Sequence, residues 1–327
     1  MKIRIIGAGF YGCHIGLSLL REGHDVHIFE IKDSIFKGAS GCIPARIHQG
    51  FHYPRSKKTR DACQAHAREF EEFYADFIKE IPTNIYAIAA NKSLVDFDQY
   101  VHTLRPEVDF EIIKDPSAYG LENVEGAILT QEKHIVTDEV RRFYQSALDG
   151  HITYGYKPDG IDDPEYDVTI DATFCAYDNE SIDRYEPCVV GILEGSIDVA
   201  VTIMDGPFGS LYPWNPALQL SSLSSAKFSP FSKSCRTWQE ANLILQQLTE
   251  RDKDRQIGAM FDDVCHFYPA LRNYNIVNVL SSIRAMPLSG ADTRLIDIIR
   301  VGETGIRIRA GKIDAVVEAS QRIKEMI

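Results

Sequence analysis

No run of about 18 apolar residues occurs in the 327-residue chain, so no membrane-spanning helix is expected. The opening Met1-Lys2-Ile3-Arg4-Ile5-Ile6 is too short for a signal-peptide core and runs straight into glycines. A cytoplasmic location is the default expectation. The seven cysteines are odd in number and form no Cys-x-x-Cys. That argues against a disulfide framework and a structural metal site, and for buried, reduced thiols. His-Glu-x-x-His, a nucleophile elbow and a P-loop are all missing, so hydrolase and kinase readings lack support. Positive charge is in deficit, with 35 Lys and Arg against 47 Asp and Glu and a net charge of -12. Tight binding to nucleic acid depends on phosphate neutralisation and is disfavoured, although a modified nucleobase stays open as a small-molecule substrate. The densest basic cluster, Arg55, Lys57, Lys58 and Arg60, reads as solvated surface.

What is present is an alternation of strands and helices. Residues 2–6 read as a short buried strand, 11–22 as a helix stopped by Gly23, and Val26 to Phe29 as the next strand. Helical spacing returns over 59–80, 96–105, 137–148, 238–258 and 312–326. Residues 85–89, 152–156, 166–172 and 276–284 read as strands. The stretch 187–230 is rich in β-formers, glycine, proline and serine, and predicts an antiparallel sheet.

Gly7-Ala8-Gly9-Phe10-Tyr11-Gly12 is a Gly-x-Gly-x-x-Gly between the first strand and the first helix, and Glu30 ends the second strand. In such a unit Gly7 permits the tight turn, Gly9 lets backbone approach a pyrophosphate, and Gly12 lets helix pack on sheet. The helix start supplies N–H groups and partial positive charge to phosphates. Glu30 can accept a ribose hydroxyl, and its charge disfavours a 2′-phosphate. FAD and NAD both fit this unit.

Two further stretches separate them by resemblance. Tyr166-Asp167-Val168-Thr169-Ile170-Asp171-Ala172-Thr173 resembles the second FAD fingerprint of two-dinucleotide-fold flavoproteins, with Phe174 standing where that fingerprint has glycine. The run from Gly38 to Ser56 concentrates Ser40, Arg46, His48, His52, Tyr53 and Arg55. Together these stretches resemble the D-amino-acid-oxidase-like (DAO) superfamily of FAD-dependent oxidoreductases. Ile47-His48-Gln49-Gly50-Phe51-His52-Tyr53 is also similar to a stretch of its 2-hydroxyglutarate-oxidase branch. Near the end, Ile283-Arg284-Ala285-Met286-Pro287 with Asp292 and Arg294, and then Gly311-Lys312-Ile313 before the last helix, resemble the segment that returns over the flavin.

The resemblance implies an α/β fold: a Rossmann-type FAD-binding domain with an inserted α+β substrate domain containing an antiparallel sheet. The FAD-binding part is expected at 1–80, 131–178 and 276–327, and the substrate part at 81–130 and 179–275. It further implies FAD contacts from Gly7, Gly9, Phe10, Tyr11, Gly12, Glu30, Ile31, Lys32, Ser40, Gly41, Cys42, Arg46, Ile47, His48, Ala172, Thr173, Arg284, Gly311, Lys312 and Ile313. The expected reaction is oxidation of a C–N bond in an amine or amino-acid-like substrate, with a 2-hydroxy acid as the alternative. His48 and His52 are the candidate bases. Tyr53 is a candidate hydrogen-bonding group. Arg55 and Arg284, with Arg46, are candidate carboxylate clamps, because a guanidinium binds a carboxylate with two prongs. An NAD-dependent enzyme and a non-enzymatic FAD-binding module are the remaining alternatives.

Overall fold

The computed structural model describes residues 1–177, 182–232, 235–287 and 295–327. Asp292 and Arg294 lie outside the described residues. One sheet has six strands in the order Asp297–Val301, Gly305–Arg309, Val168–Asp171, Lys2–Ile6, Asp25–Glu30 and Ile152–Tyr154. Its pairings are parallel except for the edge pair Asp297–Val301 with Gly305–Arg309. Strands covered on both faces read as near-continuous apolar runs. Accordingly Ile3, Ile5, Ile28 and Ile170 are fully buried. The helices Phe10–Arg21, Thr137–Ala147 and Val316–Met326 add Ile15, Leu19, Val140, Val316 and Ile323 to the same core. Gly16 allows the close approach, since a Cβ there would stand 2.7 Å from Ile28 Cδ1.

The second sheet has eight strands. Its order is Asn275–Pro287, Ile182–Glu194, Leu220–Ser225, Gly209–Asn215, Val199–Met204, Thr83–Ala89, Val124–Thr130 and Glu111–Ile113. Neighbours run antiparallel except Val199–Met204 beside Thr83–Ala89, which are parallel. The helix Glu250–Cys265 seats Ile257, Met260 and Val264 against Val189, Leu193, Val201 and Leu223. The strand Asn275–Pro287, grouped by sequence with the nucleotide-binding half, joins this second sheet through its long pairing with Ile182–Glu194.

Two local readings change. The helix expected over 238–258 is two helices, Trp238–Gln247 and Glu250–Cys265. Thr249 breaks it, because its hydroxyl accepts the Asp252 N–H while Asp252 reaches back, and this capping box starts a new helix. Arg60 is not solvated surface. It is buried, donates Nε to Glu107 Oε2 at 2.6 Å and caps the Tyr53 and Pro54 carbonyls. The seven cysteines are buried, and no disulfide joins any of them. Among the described residues no helix is long and apolar enough to cross a membrane.

Candidate functional site

The glycine motif turns the chain from the first strand into the first helix. Gly7 has φ +99°, and a Cβ on it would meet the Ala172 carbonyl oxygen at 2.9 Å. Only glycine adopts this backbone without strain, and the strand end Asp171-Ala172-Thr173 closes against it. Gly9 is the helix N-cap and offers no side-chain cap, so first-turn amides are left for another acceptor. Ser40 takes one of them, the Phe10 N–H, at 2.9 Å. Gly7, Gly9, Phe10 and Tyr11 line a cavity of about 510 Å³. Glu30 lines it too, accepting Ala8 N–H at 2.7 Å and Lys32 N–H at 2.9 Å. A carboxylate has roughly four lone-pair sites. Two are therefore left for sugar hydroxyls. An uncapped helix start, two glycines whose Cβ atoms would narrow the crevice and a carboxylate at one end fit a bound dinucleotide.

Another part of the same cavity lining is built from rings and cations. His48, His52 and Tyr53 line it, with ring centroids 5.6 Å (His48–His52), 5.5 Å (His48–Tyr53) and 5.3 Å (His52–Tyr53) apart. Lys312 Nζ lies 4.4 Å from the Tyr53 ring centroid and donates to Cys63 Sγ at 2.6 Å. Burial pushes the Cys63 thiol up to about 11, with Lys312 opposing. Beneath them Arg46 stacks 4.1 Å from the Tyr212 ring and donates to Tyr86 Oη at 2.9 Å. Tyr86 in turn donates to Glu132 Oε2. Glu132 Oε1 accepts the Gln49 N–H at 2.7 Å and lies 4.0 Å from His48 Nδ1. Burial raises the Glu132 carboxyl above its ordinary value, against the pull of Arg46. Asp314 is likewise fully buried and raised, with Lys312 and His66 opposing.

Most of the residues singled out by sequence meet in this one cavity. Ile31 and Lys32 line it near Glu30, Ser40 beside Phe10, and Ala172 and Thr173 at the strand end. Arg46, Arg284, Gly311, Lys312 and Ile313 line its other parts. Five lie outside the lining. Gly12 packs under the Gly7 carbonyl, Gly41 under the Phe36 carbonyl, and Ile47 is buried in the core. Cys42 donates to the Ser281 carbonyl at 3.3 Å, and Arg55 Nε donates to Asp205 Oδ2 at 2.6 Å. Phe174 has φ +58° and Cys175 φ +65°. The backbone after Thr173 therefore takes the left-handed form that glycine would take there, at a cost of about 1–2 kcal/mol per residue. Glu132, Tyr86, Tyr212, Asp314 and Glu186 were not singled out. Each stands in an ordinary strand or loop in the sequence, and pairing across the fold gives them their partners.

The fold and the crevice are those of a dinucleotide-binding protein whose cavity also meets a second, mostly antiparallel sheet. The comparisons agree. Over residues 2–155 the chain matches the DAO family model, described as FAD dependent oxidoreductase. FAD is its cofactor. The FAD-dependent monooxygenase FPY4 of Fusarium mangiferae is 29% identical over 338 aligned positions, covering 100% of this chain and 91% of that one. The FAD-dependent monooxygenase kojA of Aspergillus flavus is 33% identical over 153 positions, 45% of this chain and 36% of that one. Among solved structures, glycine oxidase from Geobacillus kaustophilus superposes with a TM-score of 0.71 at 13% identity, covering 99% of this chain and 93% of that one. L-proline dehydrogenase from P. horikoshii gives 0.66 at 14%, with 99% and 93% covered. At those identities the likeness is one of fold.

Proposed function

We propose that the chain oxidises a C–N bond of a small amine or amino-acid-like molecule held in this cavity. The carrying observation is the ring cluster His48, His52 and Tyr53 in the lining of the cavity that Glu30 also lines. FAD supplies the hydride acceptor, its N5 atom. The chain's task is to bind the substrate, exclude water and manage one proton. His48 Nδ1 lies 4.0 Å from Glu132 Oε1, and His48 is the candidate to take a proton from the substrate nitrogen. The His52 and Tyr53 rings restrict the substrate's orientation, and the Lys312 ammonium over Tyr53 puts positive charge on the cavity wall, where it would favour an electron-rich reduced cofactor. His48, His52, Tyr53 and Arg284 remain the candidate substrate-handling residues, while Arg55 stands outside the lining, paired with Asp205.

Two observations favour second readings. The Ile47–Tyr53 stretch suits a hydroxyl-bearing carbon, because an alcohol needs a base at its O–H more than a neutral amine does. The full-length Fusarium relative is named a monooxygenase, which favours oxygen insertion. An anaerobic panel of amines, 2-hydroxy acids and alcohols, followed by loss of the oxidised flavin band, separates them. Bleaching by amines is the expected result, and bleaching by hydroxy acids alone sinks the proposal. Product bearing label from labelled dioxygen would favour the monooxygenase reading.

A further inference from the structure

The cations in and beside the cavity lining face acids supplied by the fold itself. Arg284 lines the cavity from Asn275–Pro287, and Glu186 stands opposite it in register on Ile182–Glu194. Arg284 donates Nε to Glu186 Oε2 at 2.9 Å and Nη2 to the same oxygen. Arg184 Nε donates to the other oxygen, Oε1, at 2.9 Å. Glu186 is 1% exposed. Burial opposes its ionisation, yet Arg284 and Arg184 hold its carboxyl below the ordinary carboxylate range. The Nε–Nη2 edge of the Arg284 guanidinium is thus already occupied and its charge is met by an anion. Arg46 faces Glu132 through Tyr86, Arg55 pairs with Asp205, and Lys312 feels the charge of Asp314.

Among the described residues, the rest of the cavity lining on this sheet is neutral and oxygen-rich. Ser210 and Ser224 hold their hydroxyls 3.2 Å apart, and Ser282, Asn242 and Trp238 also line the cavity. Hydroxyls and amides can donate to or accept from an uncharged group, but they do not repay the desolvation of an anion.

We propose that Glu186 is a specificity-determining residue. By holding Arg284 it makes this wall a receptor for a neutral, hydroxyl- or carbonyl-bearing part of the substrate and turns away a free carboxylate. The assignment rests on this part of the cavity being the substrate site. It narrows the proposed reaction to amines without a carboxylate at this wall. A carboxylate entering here must displace Glu186 or lie beside it, and two anions in one buried site repel.

The test compares benzamide with benzoate, which share a ring and differ in charge, on the FAD-loaded full-length chain. Binding is read from perturbation of the flavin absorption band and from the shift in Tm. Benzamide is expected to bind the wild type about tenfold or more tighter than benzoate. Glu186→Gln should free Arg284 and tighten benzoate by about tenfold, and Arg284→Met added to it should remove the gain. Absence of a benzamide preference in the wild type, silence from both probes included, overturns the proposal. So does a folded, flavin-loaded Glu186→Gln that gains no benzoate affinity. Should Glu186→Gln fail to fold, the wild-type pair decides alone. Binding spectra need no turnover. A chain that prefers benzamide yet is reduced by no amine loses the proposed reaction and keeps this assignment. One that oxidises amines but prefers benzoate does the reverse.

Discussion

Glu30 and Ala8 are joined across the first turn: Glu30 Oε2 accepts the Ala8 N–H at 2.7 Å. One carboxylate thus braces the glycine turn and faces the cavity where a ribose would lie. Glu30→Gln should loosen both. A hydrogen bond to a charged group is worth about 1.5–3 kcal/mol. FAD affinity, followed by flavin fluorescence on titration, should therefore fall about tenfold or more. Unchanged affinity would remove Glu30 from the cofactor site.

Gly7 and Gly9 should fail in different ways when replaced by alanine. Gly7→Ala places a Cβ at φ +99° against the Ala172 carbonyl, and neither can shift cheaply. It should lower the stability of the apoprotein by about 1–3 kcal/mol. Gly9→Ala meets the Ser40 hydroxyl at 3.2 Å, a side chain that can rotate away. It should leave apoprotein Tm nearly unchanged and weaken FAD binding. Thermal unfolding with and without FAD distinguishes the two.

Glu132 is the buried counter-charge of the Arg46 network. Glu132→Leu strands Arg46 against Tyr86 and Tyr212 without an acid, and breaking a buried pair in this way costs about 3–5 kcal/mol. Glu132→Gln keeps the shape and one acceptor, for the Gln49 N–H, with its NH2 turned to Tyr86 Oη, and should cost less. Urea unfolding of both variants checks the order, and equal losses would show that the charge is unimportant.

Acid should destabilise the fold before any carboxylate pair is broken. Burial holds His14, with Lys324 and Arg21 helping, down to about 3, and holds His134, with Lys79 helping, down to about 4. Both titrate near 6.5 when unfolded. The folded value lies below the unfolded one, so the unfolded chain takes protons first as pH falls. The stability of these neutral rings is whole above about pH 6.5 and is lost on the way down through about 4 and about 3. Glu132 and Asp314, raised by burial, act with the opposite sign. Their penalty on the folded state is relieved in acid and grows as pH rises out of the carboxylate range. His14→Gln removes one titrating ring, so its Tm should fall less steeply than the wild type's between about pH 6.5 and 4. An equally steep fall would contradict the assignment.

Local chemistry made the cofactor half of the site readable. The glycine spacing, the apolar Lys2–Ile6 strand and Glu30 are near neighbours in sequence, so turn, helix start and carboxylate follow from adjacent residues. The break at Thr249 was not read, because helical spacing of apolar residues continues across it and a capping box outweighs that spacing. The arginines could be recognised as candidate clamps but not as already engaged. Arg284 and Glu186 are 98 residues apart, and Arg46 meets Glu132 through Tyr86 40 residues on.

The sequence alone determined the dinucleotide crevice, the α/β alternation and the concentration of histidine, tyrosine and arginine at 46–55. These depend on interactions within a turn or a few turns of chain, where spacing dictates geometry. Tertiary structure alone decided which cations keep an open face and which are met by a buried acid. That depends on strand register across two sheets, and register is set by the packing of the whole core rather than by any short stretch of residues.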